Sequence, residues 1–283
     1  MNRVLVLAPV WAWLVVLLAA PLGIVAAISL AGQADGVPPY TLGVTLESFH
    51  AIIDDALYRD ALLLSLRVAA ISTLLCLLVG YPMALAIANA PPAWRNPLLL
   101  ALMLPFWTGF LMRINAWIGL LADDGWIVGA ASWLFGGPVR LLYTDAALYI
   151  GMVYTYLPFM VLPLYATLEK LDVSLLKAAS DLGAKPFAAF LTVTLPLSRP
   201  GIAAGCTLVF IPAVGEYVIP ELLGGPGAQL AGRVLWGEFF SNRDWPMASA
   251  LAIALLLVLV VVPALLRSLI GSGLPGWRRL PLR

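Results

Sequence analysis

Charge is scarce in this chain of 283 residues: 11% are Asp, Glu, Lys or Arg, where soluble domains carry about one quarter. Hydrophobic residues make up 62% and the mean hydropathy is +0.98, which excludes a soluble globular domain and leaves an integral membrane protein. Cysteine is nearly absent. Cys76 and Cys206 both lie in apolar runs, so they read as small buried residues and build no disulfide framework. A single histidine, His50, excludes a histidine-based metal centre. No phosphate-binding loop and no Ser/His/Asp set is present, so the chain lacks the parts to hydrolyse ATP and is not expected to be an enzyme. Its net charge of +1 names no polyanionic partner, and no nucleic acid is expected among its contacts.

Long apolar runs take the place of charge. About 20 apolar residues cross the hydrocarbon core of a bilayer, and six stretches qualify: 9–31, 61–90, 98–121, 146–168, 201–223 and 247–269. The first is read as a span, because the apolar part of a signal peptide is shorter and LAGQA at 30–34 makes a poor cleavage site. The second is expected to break near Gly80-Tyr81-Pro82, and Pro158 and Pro163 interrupt the fourth. The fifth, FIPAVGEYVIPELLGG at its end, carries Pro212, Gly215 and Pro220. Residues 122–145 read as a polar loop with Asp123, Asp124, Arg140 and Asp145. No internal repeat or separate soluble domain is visible, so the expectation is an all-α, polytopic chain in which 1–283 form a single transmembrane domain with a core of about 60–270.

Basic residues orient the spans, because Lys and Arg in short loops stay cytoplasmic. With both termini inside, the inner side holds Arg3, Arg95, Lys170, Lys177, Lys185, Arg199, Arg267, Arg278, Arg279 and Arg283. The outer side holds only Arg59, Arg140, Arg233 and Arg243. This asymmetry puts the segment 169–200 in the cytoplasm.

That segment breaks the apolar pattern, with Glu169, Lys170, Asp172, Lys177, Asp181, Lys185 and Arg199 between two long apolar runs. Asp172 or Ser174 is a plausible N-cap, since a short side-chain oxygen accepts from the free N–H groups of a first turn. Leu175, Ala178, Ala179 and Leu182 then share one face of a short helix. Gly183 is placed to close it in the left-handed conformation. Pro186 suits the start of a second helix, to which Phe187, Phe190, Leu191 and Thr194 give a face, with Pro196 and Pro200 ending it.

AASDLGA followed by FLTVTLPLSRPGI resembles the coupling loop of the permease subunits of bacterial ABC importers, whose motif runs Glu-Ala-Ala, three residues, Gly, and later Leu-Pro. Ala178, Ala179, Gly183, Leu195 and Pro196 match, while Lys177 stands where the family has Glu. With Ser174 as N-cap, a Glu at 177 would complete a capping box, and Lys does not. The resemblance implies that Lys177, Ala178, Ala179, Asp181, Leu182, Gly183 and Ala184 form a coupling helix that docks on an ATPase subunit. A generic amphipathic loop between helices is the plainer reading of the same residues.

Charged groups at membrane depth are costly and usually face a cavity or a partner. Arg113 lies mid-span in LPFWTGFLMRINAWIGLL, and Glu216 and Glu221 lie in the broken fifth span. Trp107, Tyr154, Tyr156 and Tyr217 are the aromatics nearest to these charges in the chain. Pairing of a carboxylate with Arg113, and plain packing of the aromatics, are the structural alternatives to a substrate path.

The stretches around Arg113, VYTYLPFMVLPLYATLEKLD and GEYVIPELLGG are similar to spermidine/putrescine-type permeases, over about residues 60–255. That resemblance implies a six-span permease of the type I importer fold in a bacterial inner membrane, with both termini cytoplasmic. It implies a second homologous permease subunit, two ATP-binding subunits that hold the ATP, an extracytoplasmic substrate-binding protein and surrounding lipid as partners, and no cofactor in this chain. It also implies a path for a polyamine, lined by Glu216, Tyr217, Glu221, Trp107, Arg113, Tyr154 and Tyr156. Acidic groups and aromatic faces suit such a cation. An importer permease for ferric iron, sulfate, a phosphonate or an amino-acid derivative is the alternative. A stand-alone secondary transporter would often show inverted repeats, and a scaffold would need neither broken helices nor intramembrane charge.

Overall fold

Apolar side chains fill the long helices of the computed structural model on all sides. The structure describes residues 3–271, with side chains for 8, 9 and 11–261. The tail arginines Arg278, Arg279 and Arg283, and the side chains of Arg3 and Arg267, lie outside the described residues. In chain order the helices are α1 (Arg3–Ser29), α2 (Glu47–Asp54), α3 (Ala56–Asn89), α4 (Pro92–Met103), α5 (Phe110–Leu121), α6 (Trp126–Phe135) and α7 (Asp145–Leu168). There follow α8 (Val173–Asp181), α9 (Pro186–Ala189), α10 (Leu195–Leu197), α11 (Arg199–Val214), α12 (Val218–Leu222), α13 (Ala231–Trp236) and α14 (Trp245–Gly271). A two-residue antiparallel pair, β1 (Gly32–Gln33) and β2 (Tyr40–Thr41), sets Gly32 opposite Thr41 and Gln33 opposite Tyr40.

Among the described residues, four helical stretches are long and apolar enough to cross a membrane: Trp11–Ser29, Ala56–Asn89, Phe110–Phe135 and Asp145–Leu168. A fifth arises if Pro186–Leu197 and Arg199–Val214, bent by 64° from each other, count as one. This differs from the expected six in several places. The second span does not break at Gly80-Tyr81-Pro82: α3 runs through Pro82 for 34 residues, as a membrane helix can when its surroundings make up for the one donor lost. The third span shifts toward the C-terminus. Leu98–Leu121 is interrupted by a 3₁₀ turn at Leu104–Trp107, and the expected polar loop 122–145 contains the apolar helix α6. Asp123 and Asp124 occupy only the turn between α5 and α6. The fifth ends at Val214 rather than 223, while the helix α14 runs through the whole of the expected sixth stretch, 247–269.

The chain divides into two compact units. In the unit made of Met1–Leu63 and Ala231–Arg283, α1 packs along α14, and Ile52, Ala61, Val234, Met247, Ala250 and Leu251 form a small core. There the buried Glu238 carboxylate accepts hydrogen bonds from the Tyr58 hydroxyl at 3.0 Å and the Asn242 amide at 2.9 Å. In the unit Leu64–Leu230, α7 is the central element, with buried residues on most of its circumference, and α11 lies against it. Close approach is permitted by two glycines four residues apart. A Cβ on Gly201 would come within 2.6 Å of Thr167 Oγ1 and 2.9 Å of the Pro163 carbonyl, and one on Gly205 within 2.7 Å of Met160 Sδ. Small residues at this spacing let membrane helices bring their backbones together, where van der Waals packing rather than water release drives association. The sequence reading passed over this pair, although its spacing was visible.

Candidate functional site

Two places in the Leu64–Leu230 unit hold most of the residues singled out from the sequence. The first is the polar segment after α7. Asp172, not Ser174, caps α8: its carboxylate accepts the Ser174 N–H at 2.8 Å. That bond holds the exposed Asp172 carboxyl below the usual carboxylate range. The capping-box argument for position 177 therefore falls away, since Lys177 lies five residues beyond the cap rather than three. α8 ends in a Schellman motif. The Ala184 N–H reaches the Ala179 carbonyl at 3.0 Å and the Gly183 N–H the Ser180 carbonyl at 2.9 Å, with Gly183 at φ +83°.

The faces of this segment are informative. Leu176 and Ala179 are half-buried. Leu175, Ala178 and Leu182, on the same face as Ala179, are exposed, Leu182 at 90%, and Phe187 follows at 72%. Lys177, Asp181 and Gly183 are exposed and Ala184 is half-buried. A helix in water normally hides its apolar stripe, and this one leaves much of it uncovered. Beyond it, Phe190 is half-buried and Thr194 buried, while Leu191 stays exposed. Phe190–Thr194 form a π turn rather than plain α-helix. The base of the segment is tied by an ion pair between Arg95 and Glu169, 3.5 Å apart and both partly exposed, and Arg95 Nε also donates to the Ala90 carbonyl at 2.9 Å.

The second place is the break between α11 and α12. Glu216 lies at the start of the half-helix α12, and its Oε1 accepts backbone N–H groups of Tyr217 at 3.1 Å, Val218 at 3.0 Å and Ile219 at 3.4 Å. Its Oε2 accepts from the Tyr156 hydroxyl on α7. One carboxylate thus satisfies the free donors of a helix start and anchors that start to α7, which is how a broken helix is tolerated at membrane depth. Of the expected path residues, the structure brings together Glu216, Tyr156 and the backbone of Tyr217. Glu221 follows within α12.

The others are placed elsewhere. Arg113 makes no ion pair among the described residues. Its guanidinium donates to the carbonyls of Pro105 at 2.8 Å and Thr108 at 2.7 Å, and lies 4.9 Å from the Phe106 ring and 5.7 Å from Phe110. It adds a charged donor to carbonyls in the interruption between α4 and α5, of which Pro105 also accepts from Thr108. The Tyr154 ring meets Trp117 edge to face at 5.2 Å, and Trp107 is 79% exposed. Gly151 closes the region from the other side: a Cβ there would come within 2.6 Å of Leu223 and 3.0 Å of Ile219, so α12 sits tight on α7.

Comparisons with known proteins bear on both places. Residues 77–270 match the family described as "binding-protein-dependent transport system inner membrane component". The spermidine/putrescine transport system permease protein PotB of Haemophilus influenzae is 39% identical over 263 residues, covering 89% of this chain and 88% of that protein. The PotB of Escherichia coli K12 is 43% identical over 217 residues, covering 76% and 78%. Among solved structures, a chain of a bacterial alginate ABC transporter, in complex with its alginate pentasaccharide-bound periplasmic protein, superposes with a TM-score of 0.70. It is 17% identical and covers 96% of this chain and 95% of that one.

Proposed function

We propose a permease subunit of an ATP-driven polyamine importer, because this chain belongs to the family of binding-protein-dependent transport system inner membrane components. The chain is not itself an ATPase. The observation that carries the polyamine reading is the 39% identity to a spermidine/putrescine permease over nearly the whole chain. The substrate is delivered by a binding protein outside the membrane. A second homologous permease completes the path, and two ATP-binding subunits drive it from the cytoplasm. Both termini and the segment 169–200 face the cytoplasm, and α14 serves as the sixth span.

Within this reading α8 and the turn at Gly183 are the coupling element. The uncovered stripe of Leu175, Ala178 and Leu182, with Phe187 beside it, supports this, since an apolar face on a polar loop suits a protein partner. Lys177, Ala179, Asp181 and Ala184 frame that stripe. The substrate path runs by the α11–α12 break, where Glu216, Tyr217, Glu221 and Tyr156 present carboxylates and rings to a cation, and continues past Tyr154, which packs on Trp117. Arg113 and Trp107 shape its far side. Glu216 acts there chiefly by holding α12 in place, since its oxygens already accept four hydrogen bonds.

The test is uptake of labelled putrescine and spermidine by cells that carry the complete transporter. Saturable uptake of either, abolished by deleting this chain, is expected. Transport of an oxyanion with neither polyamine moved would overturn the substrate. Orientation is checked by single cysteines at Ser180 and Asp55 in a background lacking Cys76 and Cys206. Label should reach position 180 only from the cytoplasm and position 55 only from outside.

A further inference from the structure

Ser198 lies at the 64° bend between the segment Pro186–Leu197 and α11, and its side chain is fully buried. Its Oγ donates to the Leu195 carbonyl at 3.0 Å and lies 2.9 Å from the Tyr81 hydroxyl. A serine has one proton to give. With that proton on Leu195, the Tyr81 hydroxyl is the donor and Ser198 Oγ the acceptor in the second bond. Tyr81 comes from α3, more than a hundred residues away, and is itself buried. Its ring meets Phe190 edge to face at 5.6 Å. One side chain of α3 therefore touches both the segment before the bend and the residue at the bend. Beyond the bend, Gly201 and Gly205 hold α11 against α7 without clearance. On α3, Gly80, next to Tyr81, is also close to α7, though less tightly: a Cβ there would come within 3.0 Å of the Met160 side chain.

We propose that Tyr81 is a positioning residue for coupling, pinning the bend at Ser198 so that a displacement of the segment 186–197 is carried into α3 and α11 instead of being absorbed by opening the bend. The inference rests on the permease reading above. A bend between two helices is the natural place for motion to dissipate, and it stays stiff only when both arms are tied to a third element. Tyr81 supplies that tie through a ring contact on one arm and a hydrogen bond at the corner. The bond is buried, where a polar pair holds more strongly than in water and an unmade one is costly. Nothing in the sequence announces it, because a tyrosine inside one span and a serine between two prolines have no pattern in common.

The experiment uses the complete importer reconstituted in lipid vesicles, with putrescine or spermidine, its binding protein and ATP, and reads uptake, ATP hydrolysis and thermal stability together. Tyr81→Phe removes only the hydroxyl and keeps the ring on Phe190. It is expected to lower substrate moved per ATP hydrolysed by about fivefold or more, the scale of a typical coupling between sites, while the complex still assembles. Ser198→Ala removes the same bond from the other side and should give the same loss, and the double variant should be no worse than either single one. Unchanged coupling in Tyr81→Phe, or losses that add in the double variant, would overturn the role of this bond while leaving the permease reading standing. If both single variants fail to assemble, the bond serves folding and the inference is wrong. A wild-type complex in which the binding protein and substrate stimulate neither hydrolysis nor uptake overturns the permease reading, and this inference with it.

Discussion

Gly183 and the pair Gly201/Gly205 are needed for opposite reasons. Around Gly183 there is open space, and its φ of +83° is what excludes other residues. At Gly201 and Gly205 the backbone is ordinary helix, and what excludes a side chain is the backbone and side chains of α7. The polar segment is thus fixed by local backbone geometry and leaves its apolar side chains free, whereas the α7–α11 pair is fixed by clearance between two helices. A defect in the first misdirects a surface. A defect in the second separates two helices of the fold.

The largest effect should therefore come from Gly201→Val. Its Cβ alone would meet the Pro163 carbonyl at 2.9 Å, and over-packing of a tight contact costs about 1–3 kcal/mol or more. The yield of monodisperse protein in detergent should fall sharply, with a lower melting temperature. A variant that purifies and melts like the wild type would show that the α7–α11 contact has slack.

Gly183→Val should come next and differ in kind. Left-handed backbone strains a residue with a Cβ by roughly 1–2 kcal/mol, but the spans do not depend on this turn. Insertion and melting should stay near normal while uptake collapses and the ATPase no longer answers the binding protein. Gly183→Asn sharpens the point, since Asn accepts αL more readily; it should keep clearly more uptake than Gly183→Val. Equal losses in both would show that bulk rather than backbone conformation matters there.

Glu216→Gln tests the α11–α12 break and should be milder. The amide oxygen still accepts from the backbone of α12, so stability should hold, while loss of the charge should reduce polyamine uptake severalfold. Glu216→Ala removes the cap as well, which typically costs about 1 kcal/mol, and should lower the melting temperature too. Normal uptake kinetics in Glu216→Gln would confine this residue to capping.

The smallest effect belongs to Asp172. Its carboxyl is lowered by the Ser174 N–H, so its contribution is fully present above the ordinary carboxylate pKa and is lost only as pH falls through the lowered one. Coupling should show no Asp172-dependent change between about pH 6 and 8, and Asp172→Ala should weaken the response of the ATPase only slightly. A strong pH dependence removed by Asp172→Asn in that range would show that the cap is not the relevant state of this group.

Much of the polar segment was legible because its signals are local. An Asp cap, an apolar stripe and a Gly closing the helix are all read within twelve residues of each other. The break at Gly215 was legible too, since Pro212, Gly215 and Pro220 lie together. Legibility failed where a local signal competed with packing. Pro82 suggested a break, but α3 passes through it. Asp123 and Asp124 suggested a polar loop, but they fill one turn between α5 and the apolar α6. Arg113 suggested a partner for a carboxylate, but it donates to carbonyls of its own broken segment, at residues 105 and 108.

Composition determined that this protein lives in a membrane, and continuous apolar runs of about 20 residues determined that it is helical, because a backbone in lipid must bond to itself and only a helix does so within one such run. The short motifs determined where the chain turns polar and how α8 starts and stops, because caps and left-handed glycines act over one turn. Which helices touch, and through which atoms, was decided only in three dimensions. Tyr156 finds Glu216, Tyr81 finds Ser198 and Met160 finds Gly205 across 45 to 117 residues of chain, and no periodicity links such positions. In an apolar environment every span offers a neighbour much the same greasy surface, so the choice of partner rests on small clearances and single buried hydrogen bonds.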